Sequence, residues 1–363
     1  MDLTHNPGLI IGFAVVVIIM LAIDLGLFNK KTHVISNKEA IIWSAVWIAL
    51  SMVFSVFIYY YAGLEKFSQF QSAYWIEKAL SVDNLFVFIL VFGFFNVPRE
   101  LHHKVLYWGI IGAIVLRAFF IFTGVGLIKL TYLPEFSVFG WNFILEHNEG
   151  VDINYAARQF FRPNIILTLF GAFLIYAGIK SGFAEEDDDE NKDFNKSPGA
   201  RIVHKFFKVS NNWDGGKFFT IENGKKLATP LLVVVGVIEF TDLLFAVDSI
   251  PAIFAIAPND PFILYTSNIF AILGLRALYF LLANFIHLFS KLKYGLAFVL
   301  SFIGLKMIIA PFYHIESFTS LMIVLGALVL SVLASVIFPD DPESEGDDDD
   351  DDDEEAEKVS DEA

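Results

Sequence analysis

Glu77-Lys-Ala-Leu-Ser-Val-Asp83-Asn84-Leu-Phe-Val-Phe and Asp242-Leu-Leu-Phe-Ala-Val-Asp248-Ser249-Ile-Pro-Ala-Ile are two versions of one pattern. Each places an acid, five residues, an aspartate and a small polar residue within an apolar run. The likeness extends outward. Leu116-Arg117-Ala118 follows the first stretch and Leu275-Arg276-Ala277 follows the second. Further on, Gly178-Ile179-Lys180 answers to Gly304-Leu305-Lys306. Three ordered matches at equivalent places describe an internal duplication.

The copies lie in membrane-length apolar segments. Nine such segments run over residues 9–28, 40–62, 74–95, 105–127, 163–183, 228–256, 262–288, 292–312 and 317–338. Each is long enough to cross about 30 Å of hydrocarbon as a helix. The first is expected to be a retained span, because it lacks the positive flank and cleavage site of a leader. Segments three to five match segments six to eight. Three spans per unit is an odd number, so consecutive units enter the membrane in opposite directions, a device of secondary transporters. The expected fold is all-α: a polytopic bundle of about nine spans with a three-plus-three inverted-topology repeat.

Composition agrees. The 363 residues are 56% hydrophobic with 40 Phe and no Cys, yet the formal net charge is −16. Residues 340–363 hold 16 acids against Lys358, which leaves the other 339 residues at −1. A nearly neutral apolar body therefore carries a polyanionic tail, expected to be disordered, as is the like-charged run 185–190. Disulfides and thiolate metal sites are excluded, and no basic face points to nucleic acid. The implied partners are the lipid bilayer and a metal ion.

The positive-inside rule orients the chain. With the N-terminus outside, the inner connections and the C-terminus hold 16 Lys and Arg, and the outer connections four. The expected organisation is a two-span segment (1–73), a first repeat (74–183, with an outer loop at 131–162), a cytoplasmic loop (184–227), a second repeat (228–312), a last span (313–339) and the tail (340–363).

Charges inside spans are costly and mark pathways or paired networks. The acids are Asp24, Glu77, Asp83, Glu239, Asp242 and Asp248; the bases are Lys78, Arg117, Lys180, Arg276 and Lys306. Arg117, Arg276, Lys180 and Lys306 are charge partners, either as static ion pairs or as movable counter-ions. Asp83 and Asp248, at the centre of the repeat, are the expected central ligands. Asp24 reads equally as a ligand or as a packing or capping acid. Pro251 clashes with the Val247 carbonyl, so a helix break is expected beside Asp248. Residues six apart, as in Glu77/Asp83, stand about 240° apart on a regular helix. They converge only if the helix unwinds or a neighbouring helix completes the site. Carboxylate, amide and hydroxyl ligands suit Mg²⁺, Ca²⁺ or Mn²⁺ over Zn²⁺ or Cu⁺.

These motifs, with Ala22-Ile23-Asp24-Leu25, Glu239-Phe-Thr-Asp242 and Leu292-Lys293-Tyr294-Gly295, resemble the signature of the TerC family of integral membrane proteins over residues 12–315. Within it the chain looks most similar to the Alx branch. The resemblance implies an inner-membrane protein related to LysE-type exporters and associated with manganese efflux. Carried over by motif, the implied metal-site residues are Glu77, Asp83, Asn84, Glu239, Asp242, Asp248 and Ser249. The expected function is export of a hard divalent cation, Mn²⁺ foremost, with exchange for protons as a candidate coupling, no tightly bound cofactor and no enzymatic activity. The alternatives are a scaffold for membrane insertion or metallation of other proteins, or a tellurium-resistance-type membrane protein. Oxyanion transport fits poorly with acid-lined spans.

Overall fold

The structure is a computed structural model describing residues 11, 13, 15–20, 37–146, 152–183, 193–284 and 291–338, without the side chains of residues 248 and 284. The expectations for Asp24, the run 185–190, the tail and the Asp248 carboxylate lie outside the described residues.

The helices are α1 (Asn37–Phe94), α2 (Arg99–Leu130), α3 (Ile165–Phe183), α4 (Pro198–Phe206), α5 (Pro230–Phe254), α6 (Pro261–Ile272), α7 (Leu275–Asn284), α8 (Leu292–Ile309) and α9 (Ser317–Ile337). At 58 residues α1 would be far longer than a bilayer is thick. It leaves helical geometry at Gly63 (φ 86°, ψ 179°) and folds back on itself. Phe54 meets Phe70 at 5.5 Å, Gln71 donates to Ser55 at 2.8 Å and Tyr59 meets Phe67 at 5.9 Å. Each of these pairs is placed symmetrically about residue 63, so the two arms are antiparallel. The arms correspond to the expected second and third segments. Residues 15–20 are helical, and Phe13 packs on Phe54, Phe262 and Phe270.

Among the described residues, six helices are long and apolar enough to cross a membrane, or seven if α6 and α7 form one bent span. That count takes the two-armed α1 once. The chain is thus a polytopic helical membrane protein.

Two features correct the expected spans. The seventh segment is broken: α6 and α7 meet at a 42° bend. Gly274 sits there in the left-handed region (φ +84°), and a Cβ on it would come within 2.7 Å of the Trp47 ring. The break expected at Pro251 is absent, and α5 runs helical to Phe254. Pro251 lies in the last turn, where few ladder bonds remain to be lost.

The all-helical expectation also needs amendment, because both long connections fold into small sheets. Residues 131–162 form β1 (Phe136–Val138), β2 (Trp141–Leu145) and β3 (Gln159–Phe161), in that order. Trp141 and Phe143 lie 5.7 and 5.6 Å from Phe312 at the end of α8. Residues 193–228 hold α4 and a hairpin of β4 (Phe219–Glu222) and β5 (Lys225–Ala228). Asn223 and Gly224 turn it with φ of 50° and 73°, the positive values of a type I′ turn.

Alternate connections gather at opposite ends of the bundle. Residues from 64–69, 132–164, 254–260 and 310–318 line one cavity at one end. At the other end Phe94 meets Phe194 at 5.5 Å, Trp108 meets Phe218 at 5.6 Å and Lys104 donates to the Gly216 carbonyl at 2.6 Å.

The tightest helix pair is α3 with α8. A Cβ on Gly171 would come within 2.8 Å of the Gly304 carbonyl, and Gly178 faces Ala297 and Ser301 with equally little room. The α2 helix packs on α5 and α6, and α1 packs on α5, α6 and α7.

Gly274→Ala and Gly63→Ala both force alanine into glycine geometry, at a cost of about 1–3 kcal/mol each. Only Gly274→Ala also meets a neighbour, Trp47, whereas nothing lies within 4 Å of a Cβ at Gly63. Thermal unfolding in detergent should therefore place the Gly274→Ala midpoint clearly below that of Gly63→Ala. Equal midpoints would refute the tight Gly274–Trp47 contact.

Candidate functional site

The centre of the bundle is polar where the sequence is most apolar. The second arm of α1 buries Ser68, Gln69, Ser72, Glu77, Ser81 and Asn84. Glu77 is 0% exposed and Arg117, on α2, is 1% exposed. One guanidinium nitrogen of Arg117 pairs with Glu77 Oε1; the other stands 3.7 Å from Asp242 Oδ1 on α5. Glu77 also accepts from Asn268 Nδ2 of α6 at 3.1 Å and from Ser81 Oγ at 3.3 Å. Ser249 Oγ lies 3.5 Å from Arg117. Four helices are thereby joined through one guanidinium and its carboxylates.

The network is incomplete in a particular way. Asp242 Oδ2, Asn268 Oδ1 and Arg117 Nε are buried and have no hydrogen-bond partner among the described residues. Two of the three are hard oxygens. With both acids ionised, Glu77, Asp242 and Arg117 sum to −1. An excess negative charge in a water-poor interior calls for a proton or a cation. A hard cation fits this donor set, with Asp242, Asn268 and Glu77 as the residues that would hold it.

The other expected residues are more dispersed. Glu239 is half-buried one turn before Asp242, and its carboxylate occupies the space where Gly112 lacks a side chain. Asp83 is exposed, because the arm from 64 to 94 stays helical and turns it away from buried Glu77. The carboxylates that pair with Arg117 are those of Glu77 and Asp242. Asn84 is buried. Arg276 is buried in the first turn of α7. Lys180 is exposed in the last turn of α3. Lys306, at the end of α8, donates to Ser320 at 2.8 Å. Among the described residues no group of three or more His, Asp or Glu is arranged to hold a metal ion.

Two residues carry more than their sequence positions indicate. Asn268 has no counterpart in the first repeat, where Gly109 stands. Its signal is the run Thr266-Ser267-Asn268, three polar residues within apolar α6. Lys78 is buried and donates to the Ala271 carbonyl at 3.2 Å. It serves the end of α6 at the Gly274 break, where unpaired carbonyls attract a cation.

The cavity at the end of the bundle holds about 720 Å³ and is lined by Gln69, Asn164, Lys306 and His314 among others. Lys66 pairs with Asp260 across it at 2.5 Å. Burial, reinforced by nearby Lys306, holds the His314 imidazole below its ordinary pKa. Gln69 stands about 12 Å of helix rise from Glu77.

The integral membrane protein TerC family model matches residues 62–342, and the chain belongs to that family. It is 43% identical over 334 residues to "Uncharacterized membrane protein STKORF319" of Myxococcus xanthus, covering 92% of this chain and 93% of that one. It is 42% identical over 342 residues to "Putative membrane-bound redox modulator Alx" of Escherichia coli K12, covering 92% of this chain and 95% of that one. An uncharacterized membrane protein of Rickettsia bellii is 38% identical over 325 residues, covering 90% and 96%. No solved structure matches.

Removing Arg117 should be more harmful than neutralising the whole network. Arg117→Leu strands two buried carboxylates, a loss of about 3–5 kcal/mol, whereas uncharged replacement of all three partners is far better tolerated. Thermal stability in detergent should fall steeply for Arg117→Leu and recover in large part for Glu77→Gln/Asp242→Asn/Arg117→Leu. A triple variant no more stable than the single would contradict a core network.

Proposed function

We propose that the protein exports a hard divalent cation, Mn²⁺ foremost, through the Glu77–Arg117–Asp242 centre. The observation that carries this reading is a buried network with one excess negative charge and two unpartnered oxygens, Asp242 Oδ2 and Asn268 Oδ1. Arg117 is the resident counter-ion of the centre. An arriving cation takes its place beside the carboxylates, and Arg117 or a proton takes it back when the ion leaves. Glu239, one turn from Asp242, is suited to carry that proton. No tightly bound cofactor and no enzymatic step is part of this reading.

Nine spans and an inverted repeat belong to the same proposal, as does kinship with LysE-type exporters. Helix packing supports the repeat. Equivalent spans touch each other: α1, whose second arm is the third segment, with α5, α2 with α6, and α3 with α8. The α2–α5 contact is mirrored by that of α1 with α6 and α7. The distribution of Lys and Arg supports an inner-membrane orientation with the N-terminus outside, which makes the 720 Å³ cavity an outward vestibule.

The redox role in the name of the Escherichia coli relative is compatible with control of a redox-active metal. The present chain has no cysteine with which to act as a thiol. A scaffold role is the second reading, favoured by the folded 193–228 module with its exposed Phe206 and Phe207.

The test is flux into everted vesicles with Mn²⁺, Mg²⁺ and Ca²⁺ under an imposed pH gradient. Wild type should accumulate Mn²⁺. Asp242→Asn and Glu77→Gln should each lower the initial rate by about tenfold or more, the loss of one charge-assisted ligand. Divalent-cation flux no greater than in protein-free vesicles would exclude transport and leave the scaffold reading.

A further inference from the structure

The 193–228 module contains an element that neither the cation centre nor the family assignment uses. Helix α4 is short, nine residues, and divided lengthwise by polarity. At 100° per residue, Gly199, Ala200 and Val203 form one arc, and these are its buried residues. Ile202 and Phe206 flank that arc and are 51% and 71% exposed. Arg201, His204 and Lys205 occupy the remaining arc, and all are exposed. Phe207 and Lys208, also exposed, continue the same mixture beyond the helix.

The buried arc fixes where this helix lies. A Cβ on Gly199 would collide with the Gly236 carbonyl of α5, and Gly236 in turn faces Val203. Gly236 lies about 9 Å along α5 from Pro230. Helix α5 spans 25 residues, a few ångströms more at each end than the hydrocarbon needs. Helix α4 therefore lies against a membrane helix at the depth of the headgroup–acyl boundary. Its apolar flank, Ile202 and Phe206, is left uncovered by the described residues.

Charge agrees with depth. The described acids of the module are engaged elsewhere: Asp193 with Lys196 at 2.9 Å, Asp214 with Lys217 at 3.3 Å, and Glu222 with Ser210 at 2.5 Å. Among the described residues, Arg201, Lys205 and Lys208 have no carboxylate partner.

We propose that residues 198–208 form an interfacial lipid-binding element. Ile202, Phe206 and Phe207 enter the acyl boundary of the leaflet on the module's side. Arg201, Lys205 and Lys208 bind the phosphates of anionic lipid headgroups. Such helices bury their apolar face about 5–10 Å into the boundary, and each basic residue adds attraction to an anionic leaflet.

The absence of cysteine makes the test direct. Full-length single-cysteine variants Ile202→Cys, Phe206→Cys, Arg201→Cys and His204→Cys are nitroxide-labelled in vesicles of phosphatidylcholine with or without phosphatidylglycerol. Accessibility to oxygen and to a water-soluble nickel chelate is then read. Labels at 202 and 206 should be oxygen-accessible and chelate-protected, and those at 201 and 204 the reverse. The preference for spin-labelled phosphatidylglycerol over phosphatidylcholine should fall by about fivefold for each of Arg201→Gln, Lys205→Gln and Lys208→Gln at low salt. Chelate access at 206 equal to that at 201 would overturn the proposal. So would protection at 206 that vanishes when residues 340–363 are deleted, since the acidic tail would then be the occupant.

Discussion

A guanidinium held between two carboxylates in an apolar interior constrains everything around it. Arg117 cannot lose its charge, so Glu77 and Asp242 must stay within reach of it. Those acids sit on α1 and α5, the two helices that carry the paired motifs, and Asn268 adds α6. Helix register across the bundle is thus tied to one side chain. An uncompensated charge here is among the most expensive defects available to a protein. The surroundings are cut to fit it: Gly112 makes room for Glu239, and Gly274 lets α6 end against Trp47.

Much of this was legible in the sequence, and the limits have physical causes. Apolar length located the membrane-length helices, of which six, or seven with the bent pair, stand among the described residues, because lipid permits few alternatives to a helix. The repeat drew attention to Glu77, Asp242 and Arg117, which the structure joins. It could not separate Glu77 from Asp83, since both fit the motif; continued helical geometry buries one and exposes the other. Pro251 looked like the breaking point, yet a proline in a final turn disturbs little, and the bend appears at Gly274. Glycine leaves a weaker trace than proline, because its freedom matters only where a turn or close approach uses it.

The two folded connections show the same balance. Asn223-Gly224 is a strong hairpin signal, and its strands were within reach of pattern reading. The sheet at residues 136–161 was only partly so. Its β1–β2 hairpin turns at Phe139-Gly140, where a phenylalanine stands in place of the usual asparagine. Its β2–β3 pairing is parallel and irregular, so no short turn announces that pair, and the sheet packs on Phe312.

The glycine seam between α3 and α8 has a mechanical meaning. Where Gly171 meets Gly304, the backbones approach directly, with Ile175, Met307 and Ile308 closing around the contact. The separation there is set by the thickness of the chain, so any added side chain would have to push the two helices apart. The seam is therefore a gauge: it holds α3 and α8 at the smallest spacing two helices can take.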